Sequence, residues 1–147
     1  MEELDKKLVI EKLQNYFKDS EFSFVLLFGS YANGSFKDGS DIDIGLYFSK
    51  DIDYLELGYN SAKLETLLDK KIDLIPLNNI YKKDPLFAFE ILNNHILLAY
   101  KDKNLYYKFK TYSNLYYLDS KQLIEQNKKS LLKRVEDGKI GERNYVS

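Results

Sequence analysis

Two aspartates that alternate with apolar residues constrain the fold of this chain more than any other feature. Asp41 and Asp43 are interleaved with Ile42, Ile44 and Leu46. Successive side chains of a strand lie on opposite faces and alternate ones share a face, so the apolar residues are expected to face a core together. The two carboxylates would then lie together on the open face, roughly 6.5–7 Å apart along the strand.

A second apolar run and a turn lie upstream of these aspartates. Residues 24–28 read Phe-Val-Leu-Leu-Phe, which is typical of a buried strand. Gly29 permits a sharp turn or the close approach of a ligand, and Ser30 can cap a short helix through Ala32 and Asn33. The N–H groups at such a helix start suit an anion such as a triphosphate. Taken alone, the turn is more often an ordinary strand-to-loop connection.

The spacing between the turn and the aspartates adds information that neither carries alone. Adjacent carboxylates repel each other unless a cation lies between them. Two-metal phosphoryl-transfer sites hold their ions about 3.5–4 Å apart, a gap that such side chains can bracket. An isolated Asp-x-Asp is usually only an exposed acidic strand start. Because Gly29-Ser30 precedes Asp41 with ten residues between them, we favour the metal-binding interpretation.

A third carboxylate, Asp73, lies in the apolar segment 71–77, which is predicted to be a strand. An aspartate in an apolar interior is unfavourable unless it is paired, hydrogen-bonded or metal-bound. If this strand lies beside the strand of the first two aspartates, Asp73 completes a three-carboxylate cluster. The alternative is an ion pair with Lys70 or Lys71, which we rank lower because those lysines lie at the strand edge and can reach water.

The order Gly-Ser, ten residues, Asp-x-Asp and a later lone Asp resembles the nucleotidyltransferase superfamily related to DNA polymerase β. The likeness extends to the minimal nucleotidyltransferase branch, the MNT antitoxins of HEPN toxins. Segments 72–78, 85–92, 97–100 and 116–119 resemble further parts of that domain, so the resemblance covers about residues 8–120. The chain departs from the pattern at Tyr31 and Asn33, where many members have arginines. Lys37 could substitute for them.

The resemblance implies a fold, a reaction and a set of site residues. The implied fold is α/β (α+β), a small mixed sheet flanked by helices. The implied reaction is Mg²⁺-dependent transfer of AMP from ATP to a tyrosine hydroxyl of a cognate HEPN RNase toxin, which it neutralises. Asp41, Asp43 and Asp73 would be the catalytic residues and the ligands of two Mg²⁺ ions, with Asp73 also a candidate general base. Gly29, Ser30 and Ser40 are the predicted nucleotide-binding residues.

Two other functions fit the same residues. The chain could be an antitoxin that occludes its partner without catalysis, with nucleotide serving only as a ligand. It could also modify a small molecule, as aminoglycoside nucleotidyltransferases do. Those enzymes usually carry a larger second domain, and only residues 105–147 would remain here for that role.

Length and charge narrow the remaining possibilities. The 147 residues predict a single domain, with a core at about 8–100 and a helical segment at about 103–136. The net charge of −1 supplies no general attraction for nucleic acid, so direct nucleic-acid binding is not expected. No apolar run approaches the roughly 18 residues of a membrane span. Without a signal-peptide pattern or cysteine, a cytoplasmic location is expected.

Hydrophobic periodicity and turn residues predict the individual elements. Helices are expected at 3–19, 54–70, 84–93, 103–118 and 120–136, and Gly138 is expected to end the last of them. Strands are expected at 22–28, 41–48, 71–77 and 97–100. The lone histidine, His95, is interpreted as structural. About half of the aromatic residues crowded between 106 and 117 are expected to pack on the core.

Overall fold

A computed structural model describes residues 2–37 and 39–136 of the protein, with side chains described from residue 5 to 133 apart from residue 38. Six helices and four strands make up this part of the chain. In order they are α1 (Glu2–Phe17), β1 (Phe24–Phe28), α2 (Ser30–Asn33), β2 (Ile42–Tyr47), α3 (Tyr54–Leu68), β3 (Ile72–Pro76), α4 (Ile80–Lys83), α5 (Pro85–Asn93), β4 (His95–Tyr100) and α6 (Lys103–Glu136).

The four strands form one mixed sheet in the order β3-β2-β1-β4. Strand β1 is antiparallel to both of its neighbours, β2 and β4, while β2 and β3 run parallel. The expected α/β class with a small mixed sheet is confirmed. No helix among the described residues is both long and apolar enough to cross a membrane.

Helices cover both faces of the sheet, which explains why β1 is apolar at every position. Val25 and Leu27 pack into a core beneath α1 and α3. Phe24, Leu26 and Phe28 pack into a second core beneath α4, α5 and α6. All five residues of β1 are buried, as a strand with two covered faces requires.

Strand β2 uses its two faces differently. Ile42, Ile44 and Leu46 are fully buried in the core beneath α1 and α3, as their alternation predicts. Asp43 and Gly45 lie on the opposite face, toward α5. The sequence predicted an open face for this carboxylate. Asp43 instead lies on the side of the sheet that α5 covers, where it lines a cleft.

Capping residues set the bounds of two predicted helices. The Asp53 carboxylate accepts hydrogen bonds from the N–H groups of Leu55 and Glu56, at the start of α3. Asp84 accepts from the N–H of Phe87, and Pro85 occupies the first turn of α5, so the predicted start is confirmed. Helix α3 ends at Leu68, earlier than predicted, because Asp69 adopts a left-handed conformation with φ of 52°.

Three predictions about elements need correction. Residues 103–136 form one helix, not two, because the segment around Asp119 contains neither glycine nor proline to interrupt it. The predicted end at Gly138 lies outside the described residues. Strand β4 begins at His95 rather than residue 97, and the short helix α4 was not predicted.

Gly45 provides a test of packing between β2 and the chain that follows β3. A Cβ at Gly45 would lie 2.8 Å from both terminal carbons of Leu77, which is fully buried. Gly45→Ala should therefore lower the free energy of unfolding by about 1–3 kcal/mol, as measured by urea denaturation.

Gly58, in helix α3, is the matched control because a Cβ there meets nothing within 4 Å. Gly58→Ala should instead stabilise the protein by about 0.5–1 kcal/mol through its better helix propensity. Equal effects of the two substitutions would contradict the packing argument.

Candidate active site

The turn after β1 is built on glycine geometry. Gly29 has φ of 72° and ψ of −150°, a conformation that other residues rarely adopt. Its carbonyl accepts hydrogen bonds from the N–H groups of Ala32 and Asn33, at 3.1 and 3.2 Å. The helix α2 therefore begins with Gly29 as its N-cap. The expectation that the Ser30 hydroxyl caps this helix is wrong, because the Gly29 carbonyl already occupies those two donors.

Gly29 also lies directly against Asp43. The antiparallel register of β1 and β2 pairs Phe28 with Asp43, which brings the end of one strand beside the carboxylate of the other. A Cβ at Gly29 would overlap the Asp43 carboxylate oxygen Oδ2 and approach its Cγ to 3.1 Å. Glycine is thus required here twice, by the backbone angle and by the space.

Asp73 lies beside Asp43 on the neighbouring parallel strand. The register of β2 and β3 pairs the two aspartates directly, and such strands are about 4.8 Å apart. Both carboxylates line a cleft of about 380 Å³ together with Gly29. The expectation that Asp73 sits in an apolar interior is wrong, because its side chain is exposed.

The pKa of Asp43 reflects this crowding. Partial burial raises the pKa of its carboxyl above the usual value, and the charges of Asp73 and then Asp41 raise it further. All three effects disfavour the ionised form. A cation in the cleft would reverse the last two, since it would neutralise the repulsion between the carboxylates.

Asp41 is less closely associated with the other two aspartates. It precedes β2 by one residue, and its carboxylate lies 3.9 Å from the Nζ of Lys71. Lys70 contacts Asp5, at 3.7 Å. The two lysines that the sequence offered as partners for Asp73 therefore contact other aspartates.

The carboxylates have the right chemistry for a divalent cation, but their side chains do not converge on a single point. Among the described residues, no three His, Cys, Asp or Glu side chains converge closely enough to hold a metal ion. Asp43 and Asp73 together supply the hard oxygen donors that Mg²⁺ prefers. Asp41 could join them by exchanging its contact with Lys71, so the residues present fit the ion.

The remaining predicted nucleotide ligands lie around the turn. Ser30 follows Gly29 directly, at the start of α2. The Ser40 hydroxyl accepts a hydrogen bond from the Lys37 N–H at 2.8 Å, closing the turn that leads into Asp41. A nucleotide-binding role for Ser40 remains a prediction.

Helix α5 supplies a wall of the cleft that sequence reasoning missed. Phe87, Glu90, Ile91 and Asn94 line it, opposite the aspartates. Their spacing of three and four residues places them on one helix face. The sequence shows that spacing, but whether this helix face points toward Asp43 depends on how α5 packs on the sheet. Phe28 and Ile75 complete the apolar part of the lining.

The histidine and the aromatic cluster have structural contacts. His95 approaches the carbonyl of Ile91 through Nδ1 and the hydroxyl of Tyr106 through Nε2, at 2.9 and 2.8 Å. Burial lowers the pKa of His95. Phe109 is buried, whereas Tyr107 is about half exposed, so the aromatic segment is divided between core and surface.

The Gly29 turn lies against Asp43, which pairs with Asp73 at one end of the mixed sheet, and this arrangement is compatible with phosphoryl transfer. The family described as polymerase beta, nucleotidyltransferase matches residues 11–104. The chain belongs to this family, and the expected enzyme class is thereby confirmed.

Two curated relatives come from Methanocaldococcus jannaschii, and both carry the provisional name of protein adenylyltransferase. One is 39% identical over 80 residues, which cover 54% of this chain and 88% of the relative. The other is 37% identical over 70 residues, covering 48% of this chain and 72% of the relative.

Solved structures of toxin–antitoxin complexes contain chains with the same fold. One is a complex of tri-AMPylated Shewanella oneidensis HEPN toxin with MNT antitoxin, with a TM-score of 0.56, 18% identity and coverage of 92% of this chain and 99% of that chain. Another is a toxin–antitoxin complex with AMP-PNP, with a TM-score of 0.54, 19% identity and coverage of 89% and 96%.

Removing the charge at Asp73 should lower the pKa of Asp43. In Asp73→Asn one of the two repelling carboxylates is lost, so the Asp43 carboxyl should titrate closer to its ordinary value by ¹³C NMR. Because the pKa of Asp43 is raised in the folded state, the contribution of this carboxyl to stability is present at low pH and is lost as pH rises through the folded-state pKa. Asp73→Asn should therefore be more stable than the unmodified protein at neutral pH.

Asp51→Asn is the control, since Asp51 is an exposed aspartate in the loop after β2. It should leave the titration of Asp43 unchanged. If Asp73→Asn also left that titration unchanged, the two carboxylates would not interact as their register indicates.

Proposed function

We propose that this protein is a Mg²⁺-dependent protein adenylyltransferase that transfers AMP from ATP to a tyrosine hydroxyl of a HEPN-type RNase toxin and so neutralises it. The observation that carries the proposal is the contact between Gly29 and Asp43, which joins a candidate phosphate turn to a carboxylate pair within one cleft. The names of the curated relatives support protein adenylylation, and the solved complexes support a toxin partner.

Each site residue has a role in this reaction. The triphosphate would bind at Gly29 and Ser30, where the absence of a side chain on Gly29 lets it approach the backbone. Asp41, Asp43 and Asp73 would hold two Mg²⁺ ions. When bound, Mg²⁺ neutralises the triphosphate and the leaving pyrophosphate and acidifies the acceptor hydroxyl.

The transfer itself exchanges one phosphorus–oxygen bond for another. The acceptor oxygen bonds to the α-phosphorus of ATP, the bond from that phosphorus to the bridging oxygen breaks, and pyrophosphate leaves. We assign the proton of the acceptor hydroxyl to Asp73, which is exposed in the cleft and therefore accessible to an incoming side chain.

Moving the Asp41 carboxylate into the site would cost little free energy. Its contact with Lys71 is long, and the two side chains are 44% and 76% exposed. Exposed pairs of this kind contribute about 0–1 kcal/mol. Two divalent cations beside Asp43 and Asp73 would attract the Asp41 carboxylate more strongly than one solvated ammonium does.

Occlusion without catalysis is the second candidate, and one observation favours it. Tyr31 stands where many relatives have arginine, but it is fully buried and its ring stacks on Phe36 at 4.3 Å between centroids. It therefore contributes nothing to a triphosphate. Asn33 accepts hydrogen bonds from Ser35. The turn would thus bind ATP without help from these two side chains, which would suit a weakly catalytic or purely binding protein.

The double variant Asp41→Asn/Asp43→Asn separates the two functions. It removes two of the three proposed metal ligands without changing side-chain size, so AMP transfer should fall by at least about 10²-fold. The protein would be incubated with Mg²⁺, ATP and a candidate HEPN partner, and the partner analysed by intact mass. Undiminished AMP addition by the variant would sink the enzymatic proposal.

Neutralisation of toxin RNase activity by the same variant, at equal protein concentration, is the second readout. Full neutralisation without AMP addition would favour occlusion. The exposed substitution Asp51→Asn is the control for charge removal and should leave both readouts unchanged.

Gly29→Ala should abolish binding of an ATP analogue with a non-hydrolysable α–β bond. Gly34→Ala is its matched control because Gly34 also has positive φ, at 83°, yet a Cβ there meets nothing within 4 Å. Gly34→Ala incurs backbone strain of about 1–2 kcal/mol, whereas Gly29→Ala places alanine at φ 72° and ψ −150°, a region essentially restricted to glycine, and also pushes on Asp43. Isothermal calorimetry should show near-normal affinity in Gly34→Ala, and equal losses would refute a specific role for Gly29.

A further inference from the structure

Asn94 connects the far wall of the cleft to the glycine turn. It follows the last residue of α5, and its side-chain Nδ2 donates a hydrogen bond to the Gly29 carbonyl at 3.2 Å. The two residues are 65 positions apart in the chain. The Asn94 backbone N–H donates to the Ile91 carbonyl at 3.2 Å. This second bond holds the residue at the end of the helix while its amide reaches the turn.

Within the described part of the chain, the Gly29 carbonyl accepts hydrogen bonds from three donors. Besides Asn94 Nδ2, these are the N–H groups of Ala32 and Asn33. The latter two belong to the turn itself and move with it. Of these three donors, Asn94 is the one that lies outside the turn, so its hydrogen bond ties the turn to the wall of the cleft.

Holding that carbonyl also orients a neighbouring donor. The Gly29 carbonyl and the Ser30 N–H belong to one planar trans peptide, so they point in opposite directions. Glycine tolerates several backbone conformations, which makes a peptide on its C-terminal side easy to reorient. An anchored Gly29 carbonyl therefore fixes the direction of the Ser30 N–H, the first donor of α2.

The chemistry of an amide suits this position better than a carboxylate would. Asn94 lines the cleft with Asp43, Asp73 and Glu90. An aspartate at residue 94 would place an acceptor against the Gly29 carbonyl, which is itself an acceptor. It would also add a negative charge to a cleft that already holds three carboxylates.

We propose that Asn94 is a positioning residue for nucleotide binding, which locks the Gly29–Ser30 peptide so that the Ser30 N–H is directed at a phosphate group. The inference rests on the proposed function, because it needs a triphosphate at this turn. Asn94 acts through the peptide and need not touch the nucleotide.

The test compares two variants of Asn94 with matched variants of its neighbour. Asn93 is exposed and is the last residue of α5, so it shares the location without the contact. Calorimetry would measure the Kd of the ATP analogue with a non-hydrolysable α–β bond, in the presence of Mg²⁺. Asn94→Ala should weaken binding roughly 2–12-fold, the equivalent of one lost hydrogen bond. Asn94→Asp should weaken it further, and Asn93→Ala and Asn93→Asp should bind like the unmodified protein.

A second measurement needs no nucleotide and tests the anchoring directly. The backbone amide of Ser30 would be followed by NMR in the nucleotide-free protein. Asn94→Ala and Asn94→Asp should shift its resonance and speed the hydrogen exchange of Ala32 and Asn33, whose N–H groups donate to the same carbonyl, while amides of α3 stay unchanged. A role confined to overall stability would instead speed exchange throughout the sheet and leave Kd unchanged below the unfolding temperature.

The outcomes are distinguishable. An unchanged Ser30 resonance, unchanged exchange of Ala32 and Asn33 and an unchanged Kd in both Asn94 variants would overturn the inference while leaving the proposed function intact. Equal losses in the Asn93 variants would also overturn it. If the unmodified protein bound no nucleotide, the proposed function would fail, and the NMR result alone would decide whether Asn94 anchors the turn.

Discussion

The antiparallel pairing of β1 with β2 is the interaction on which the site depends. Its register sets Phe28 opposite Asp43, so the chain leaves β1 directly against a carboxylate. The turn that follows can exist there only with glycine at residue 29. A shift of one position in this register would turn Asp43 toward the apolar core beneath α1 and α3 and separate it from the turn.

The same arrangement is unfavourable to folding in the absence of a ligand. Asp43 is partly buried and lies beside Asp73, and both effects raise its pKa. Repulsion between carboxylates is thus concentrated at one end of the sheet, where the proposed metal ion would relieve it. The apolar strand β1, buried on both faces, offsets these terms.

The strands were largely predictable because their patterns are local. Alternation placed Ile42, Ile44 and Leu46 in the core, and the five-residue apolar run predicted β1. Element ends were less accurate, since they depend on single residues such as Asp69 in its left-handed conformation. The break predicted near Asp119 failed because serine and aspartate are tolerated within a helix when no glycine or proline interrupts it. The sequence predicted the glycine turn and the aspartates of the candidate site but not its α5 wall. Helix spacing could not reveal what Glu90 and Asn94 would face.

By itself, the sequence determined the chemical identity of the site: a glycine turn, two aspartates at strand spacing and a third in a later strand. These depend on residue type and local periodicity, which the chain carries in any context. Only the tertiary structure decided which of them meet. Parallel pairing of β2 with β3 joined Asp43 to Asp73, and the packing of α5 brought Asn94 to Gly29. Asp41, one residue outside β2, was left beside Lys71. The physical reason is that register and helix packing are set by the burial of apolar faces across the whole sheet, and no local pattern encodes them.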